Sequence, residues 1–231
     1  MSLLKKITVG AMALALLFPA VAGAVTINEV RIDNGGADTD EYFELMGAPG
    51  LSLDGYTYIV IGDGAGGSGT VENVTDLTGQ SIQADGFLSV HKEGTVGACT
   101  YDVDLTMNFE NSDNVTHMLV IGFTGALDDD LDTDDDGILD ITPWTSMEDC
   151  LALIESVGSG DLVYCDLNQV GPDGTFVPAH ALKCGDMWAI GQFGDSPFTC
   201  AASLDTPGED NSPGCSVPTE ETSWGSMKSR Y

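Results

Sequence analysis

The sequence predicts an all-β protein, a sandwich of short strands. Two observations carry that reading. Short alternating or β-branched runs recur along the chain, each closed by a Gly-, Asn- or Asp-rich turn. Six cysteines, an even number, follow an export-type leader, which is disulfide usage.

The leader is residues 1–24. Lys5 and Lys6 form a positive start, Ile7–Phe18 a short apolar run, and Ala22-Gly23-Ala24 a small-residue cleavage site. The run is too short to span a bilayer as a helix, and no later stretch reads as a membrane span. The chain carries 37 acidic and 7 basic residues, a net charge of −30. After the leader only Arg31, Lys92, Lys183, Lys228 and Arg230 are cationic. That scatter argues against direct binding to nucleic acid or an anionic membrane, which needs a basic footprint. The plain consequence of the acidity is solubility and self-repulsion.

The elements follow in order. Val25–Ile32 alternates, but its phase slips by one residue, so a bulge is expected near Asn28–Glu29. A polar loop, 33–40, leads to Glu41–Leu45, which alternates again. Leu53-Asp54-Gly55 is a turn, and Tyr56–Ile61 reads as a buried strand. Asp102–Phe109 puts Val103, Leu105, Met107 and Phe109 on one face. Val115–Ile121 follows the turn at 111–114.

Several of these pieces share a family pattern. Ile27-Asn28-Glu29-Val30, then Glu41-Tyr42-Phe43-Glu44-Leu45, then Leu53-Asp54-Gly55 resembles the opening of a lamin-tail domain. Asp85–Val90, Asn111–Val120 and Thr206-Pro207-Gly208 with Asn211 resemble its later motifs, in order. The resemblance covers 25–211, interrupted at 124–178, and implies an immunoglobulin-like β-sandwich. The Cys–Trp–Cys core of antibody domains is absent from the sequence.

The interruption, 124–178, reads as a loop and helix insertion. Thr142 can cap a helix, Pro143 fits its first position, and Leu151, Ala152 and Ile154 supply an apolar face. A short helix plus turn would let Cys150 pair with Cys165. Asp161–Cys165 reads as a strand and Met187–Phe193 as the last core strand. Residues 212–231 have the composition of a mobile tail.

The densest chemical signal is at 128–140, where eight of thirteen residues are aspartate. Asp132, Asp134 and Asp136 alternate, Gly137 follows, and Asp140 closes the run. Carboxylates at loop positions one, three and five, a Gly at six, the Ile138 carbonyl at seven and a donor at nine form the front half of an oxygen cage for Ca²⁺. The bidentate Glu at position twelve of an EF-hand is replaced by Pro143. Glu148, Asp149, Asp130 or water must then complete the shell. The loop resembles extracellular calcium-binding repeats, whose affinities are about 10⁻⁴–10⁻³ M. A second acidic group, Asp33, Asp38, Asp40 and Glu41, reads more simply as a solvated loop.

Other constellations carry less. Gly62–Gly67 matches GxGxxG, but no helix is expected after it and Asp63 would repel a pyrophosphate, so it reads as a loop. His91, His117 and His180 share no ligand spacing. Ser68 and Ser112 sit in ordinary turns without a nucleophile elbow. No pair among the 37 acids is singled out for glycoside chemistry. Asn73-Val74-Thr75 and Asn114-Val115-Thr116 are sequons.

The expected function is a secreted, non-catalytic binding or scaffolding module with a structural Ca²⁺, recognising an extracellular protein or surface component. The resemblance implies the same, since bacterial lamin-tail domains accompany secreted nucleases and phosphatases as attachment modules. The alternatives are a small metal-dependent hydrolase, an accessory subunit of a secreted nuclease or phosphatase, and a surface assembly subunit.

Overall fold

A computed structural model describes residues 24–158 and 160–215. The leader through residue 23 and the tail from residue 216 lie outside the described residues. The strands are β1 (Thr26–Arg31), β2 (Tyr42–Met46), β3 (Tyr56–Gly62), β4 (Thr70–Asp76), β5 (Phe87–Lys92), β6 (Val103–Leu105), β7 (Val115–Ile121), β8 (Ser146–Leu153), β9 (Gln169–Val170), β10 (His180–Cys184) and β11 (Met187–Ile190). Two short helical turns, α1 (Cys200–Ser203) and α2 (Ser212–Cys215), come after them. One sheet runs β11-β10-β1-β2-β5-β6 and the other β4-β3-β7-β8-β9. The protein is an all-β sandwich.

The strand alternation places the core. Ile27, Val30, Phe43, Leu45, Leu88 and Val90 of the first sheet meet Tyr58, Val60, Leu119, Leu151 and Leu153 of the second. The Phe43 ring stacks on Tyr58 with centroids 3.8 Å apart. The phase slip in β1 is a bulge, because pairing with β2 shifts between Ile27 and Glu29. Met107 and Phe109 continue the apolar face of β6 into the same core.

The second sheet is buried on both faces. Ile59, Ile61, Met118, Val120 and Ala152 point outward into a second core formed with Leu131, Leu139, Trp144, Val163 and Tyr164. Sheets covered on both sides have continuous apolar strands, and Tyr56–Ile61 and Val115–Ile121 read that way.

Three expectations are corrected here. The helix from Thr142 and Pro143 does not form; Ser146–Leu153 is β8, paired antiparallel with β7 along its length. Leu151 and Leu153 face one core and Cys150 and Ala152 the other, so the period is two and tertiary pairing overrides the local cap signals. Asp161–Cys165 forms no strand but covers the outer face, with the Tyr164 N–H donating to Thr116 Oγ1 at 3.0 Å. Met187–Phe193 is not a core strand; β11 ends at Ile190 on the sheet edge, with Met187 73% exposed. Only Trp188 of β11 packs on the core.

The six cysteines pair as Cys99–Cys200, Cys150–Cys165 and Cys184–Cys215. The expected Cys150–Cys165 bond is present, but it ties β8 to the strip over the second core instead of closing a helix and turn. A closed loop of its 15-residue separation stabilises by about 3 kcal/mol. Both sequon asparagines are buried in hydrogen bonds: Asn73 accepts from the Asn108 N–H, and Asn114 from the Glu155 and Ser156 N–H groups.

His117 sits between the sheets, its Nδ1 3.0 Å from the Tyr58 hydroxyl and its Phe109 neighbour edge-on. Burial pushes it down to about 3. The neutral ring is therefore favoured in the fold, and stability present above pH 6.5 is lost as pH falls from there towards 3. The slope from this group is about 1.4 kcal/mol per pH unit. Urea denaturation across that window is expected to show a steep acid limb in the wild type and a shallower one in His117→Gln. Equal slopes would contradict this assignment.

Candidate metal centre

The acidic loop is seated on the edge of the second sheet. The Val71 N–H donates to the Asp129 carbonyl at 2.9 Å, the Asp128 N–H to Val71 at 2.8 Å and the Leu131 N–H to Gly69 at 3.0 Å. Residues 128–131 thus run beside β4 like a short added strand. Leu131 is buried in the second core and anchors the start of the loop.

Asp132 organises the rest of the loop. It is 1% exposed. Its Oδ1 accepts the Asp136 N–H at 3.2 Å, and its Oδ2 accepts the Gly137 N–H at 2.9 Å and the Tyr164 hydroxyl at 2.8 Å. Gly137 takes a left-handed φ of 87°, which lets the chain fold back over the carboxylate. Asp136 Oδ1 in turn accepts the Ile138 N–H at 2.9 Å. One oxygen from each of Asp132, Asp134 and Asp136 lies within 4.8 Å of the others.

The structure therefore brings together three of the five expected ligands. Asp140 turns away, its Oδ2 accepting the Thr133 N–H at 2.9 Å and hydroxyl at 2.5 Å. Ile138 sits in the loop with its side chain 70% exposed. Asp134 is pushed above the usual carboxylate range, first by Asp136 and then by Asp140 and Asp132. Burial and the Asp132 hydrogen bond likewise push Tyr164 up. Convergent, mutually repelling carboxylates on a loop with a buried anchor suit a hard cation with oxygen ligands.

Two contributors were not visible in the sequence. Tyr164 reaches Asp132 from 32 positions away. The Gly-rich loop also acquires a role. Gly69 has φ +95, and a Cβ there would stand 2.6 Å from Asp132 Cβ and 2.7 Å from its main-chain nitrogen. A Cβ on Gly67 would meet Asp135 Oδ1 at 2.8 Å. These glycines are the floor against which the acidic loop packs.

The second acidic group is taken apart by the fold. Asp40 accepts the Ala98 N–H, and Glu41 accepts Lys92 Nζ at 2.7 Å and the Phe109 N–H at 3.0 Å. Asp33 and Asp38 remain within hydrogen-bond reach of each other. A third group was missed because its members are far apart in sequence: Asp63, Glu72 and Glu110 approach within 4.8 Å. Burial, then Glu110, pushes Glu72 up to about 8.

A separate buried junction joins the end of the described chain to β1 and β2. Arg31, fully buried, donates from Nε and Nη2 to both oxygens of Asp205, which also accepts the Tyr42 and Ser203 hydroxyls. Burial pushes Asp205 up, but His180, Arg31 and Ser203 more than offset that and hold it below the usual range. Glu29 accepts His180 Nε2 at 2.6 Å and the Thr206 N–H and hydroxyl at 3.2 and 3.0 Å. Glu44 accepts Asn28 Nδ2 at 2.7 Å and the Gly208 N–H; burial pushes it up to about 8. Asn211 donates to the Asn28 and Lys183 carbonyls, both at 3.0 Å. Glu29, His180 and Asp205 lie close enough to hold a metal, but the Glu29 and Asp205 oxygens already accept hydrogen bonds from Thr206, Arg31 and Tyr42, while His180 Nδ1 is buried without a partner among the described residues.

Comparison with known proteins adds no further assignment: no family model, curated protein or solved structure matches this chain. Among the described residues no helix is long and apolar enough to cross a membrane.

The seating of the loop is testable at Gly69. Gly69→Ala combines a left-handed φ with overlap on Asp132, whereas Gly79→Ala, at φ +83 with open space around it, carries the φ cost alone. That shared cost is about 1–2 kcal/mol. In urea denaturation Gly69→Ala is expected to lose clearly more stability than Gly79→Ala. Equal losses would show that the loop does not pack on this glycine.

Proposed function

We propose that this chain is an exported, non-catalytic binding or scaffolding module of the lamin-tail type, with Ca²⁺ held at the acidic loop as a structural ion. The observation that carries the proposal is the convergence of Asp132, Asp134 and Asp136 around a buried anchoring carboxylate. The ion would draw oxygens from these three residues, with the Ile138 carbonyl, Asp140 after a turn from Thr133, and water as further donors. Its charge would offset the repulsion that pushes Asp134 up. Bound there, it would fix Gly137–Leu139, one wall of the second core, against β7 and β8.

Two observations support the lamin-tail reading. Asn28, Glu29, Glu44, Thr206, Gly208 and Asn211 come from the separate motifs that carry the resemblance. They meet in one buried hydrogen-bonded junction. Three disulfides with no free cysteine among the described residues support an oxidising, extracellular destination.

The test is thermal melting in Ca²⁺ and in EDTA. At Ca²⁺ one hundredfold over Kd, stabilisation of about 2.7 kcal/mol is expected, lifting the melting temperature by several degrees. The Asp134→Asn, Asp136→Asn double variant, altered only at exposed positions, should lose that increment. Identical wild-type curves in Ca²⁺ and EDTA would refute the ion assignment.

A further inference from the structure

We propose that the groove between the 173–176 hairpin and Phe193 binds an extended, basic peptide segment of a partner protein, one with Lys or Arg beside an apolar residue. This deepens the reading of the chain as a binding module and rests on it. The groove has a volume of about 440 Å³. Its floor and walls are Phe176, Val177, Ala179 and Phe193, and Asp33 and Asp173 stand at its rim. Phe176 is 71% and Phe193 45% exposed, so two aromatic rings flank one cleft in water. Singly exposed apolar residues are ordinary; paired rings lining a concavity suit a buried anchor residue.

The groove is preformed. Asp173 and Phe176 exchange main-chain hydrogen bonds at 2.9 and 3.1 Å, closing the hairpin. The Phe193 carbonyl accepts buried Arg31 Nη1 at 2.8 Å, and the Ala179 carbonyl accepts the Ile32 N–H at 2.9 Å. Fixed walls lower the ordering cost of binding.

Charge selects the occupant. A second groove of about 530 Å³, which shares Asn111 with the first, is lined by Asp38, Glu41, Glu110 and Asp128. Lys92 is the single cation on that wall, and Glu41 and Asn108 hold it at 2.7 and 2.9 Å. Asp33 at the rim of one groove and Asp38 in the other are near enough to share a hydrogen bond, and burial together with Asp38 pushes Asp33 up to about 6. A cation placed between them relieves that repulsion. A second copy of this chain, at −30, is repelled, and a polyanion is repelled more strongly. An apolar side chain would fill the aromatic cleft while flanking Lys or Arg residues reach the carboxylates, as complementary charges do across interfaces.

The experiment titrates the full chain with two peptides of one apolar pattern, Lys-Phe-Lys-Leu-Lys and Glu-Phe-Glu-Leu-Glu, by calorimetry and by amide NMR. The cationic peptide should bind saturably at one to one, weaken with salt, and shift amides around Asp33, Asn111, Phe176 and Phe193. Phe176→Ser, at an exposed position, and the Asp33→Asn, Asp173→Asn pair should each weaken it about tenfold or more. No binding, equal binding of both peptides, or shifts centred elsewhere would overturn the groove assignment. The NMR map does so without relying on any variant. Mass spectrometry of the recovered peptide separates the two levels of the proposal: an intact peptide leaves the binding-module reading standing whatever its affinity, whereas specific cleavage would overturn that reading.

Discussion

The controlling constraint in this protein is a surplus of carboxylates over cations. With 37 acidic side chains and 7 basic ones, carboxylates that enter the interior cannot all be met by ion pairs. The fold spends its best cation, Arg31, on Asp205, pairs Lys92 with Glu41, and fills other buried carboxylates with N–H and O–H donors. Glu29, Glu44 and Asp132 are each held this way. Removing one donor from such a site leaves a buried carboxyl oxygen without its hydrogen bond, at the desolvation cost of that group. The junction beneath β1 and β2 therefore also fixes where the 192–211 segment lies. The aromatic groove depends on that placement, because Arg31 positions Phe193.

Much of the sandwich was legible in the sequence, and for local reasons. The β1 bulge announced itself as a one-residue slip in alternation, and the 53–55 turn and β3 were marked by composition. β8 was misread because its second half, Cys150–Leu153, is buried on both faces. A continuous apolar run has no period to separate strand from helix, and Thr142-Pro143 then looked like a helix start. The buried junction was illegible for the opposite reason. Glu29, Arg31, Tyr42 and Glu44 alternate as a solvent-facing strand should, and only chain more than 150 positions away covers most of them. The motif pieces at Asn28–Glu29 and Thr206–Asn211 were the available signal of that contact.

The candidate site divides along the same line. Asp132, Asp134, Asp136 and Gly137 are close in sequence, so their spacing alone conveyed the loop. Its supports, Tyr164 and the glycines at 67 and 69, come from elsewhere in the chain, and the Gly-rich segment read only as a loop between strands, with nothing local to mark it as a packing floor. Asp140 had the right spacing but prefers Thr133. The three converging loop carboxylates and the aromatic groove share no residue, so an ion site and a docking surface can be separate properties of one scaffold.

Sensitised terbium emission tests the central claim, that the acidic loop holds a hard cation, most directly. Tb³⁺ takes the same oxygen ligands as Ca²⁺, and Tyr164, whose hydroxyl lies 2.8 Å from Asp132 Oδ2, is placed to sensitise it. A cation held by the loop gives saturable emission at one ion per chain, displaced by Ca²⁺ and abolished in the Asp134→Asn, Asp136→Asn variant. Emission that does not saturate, or that survives unchanged in that variant, would contradict it.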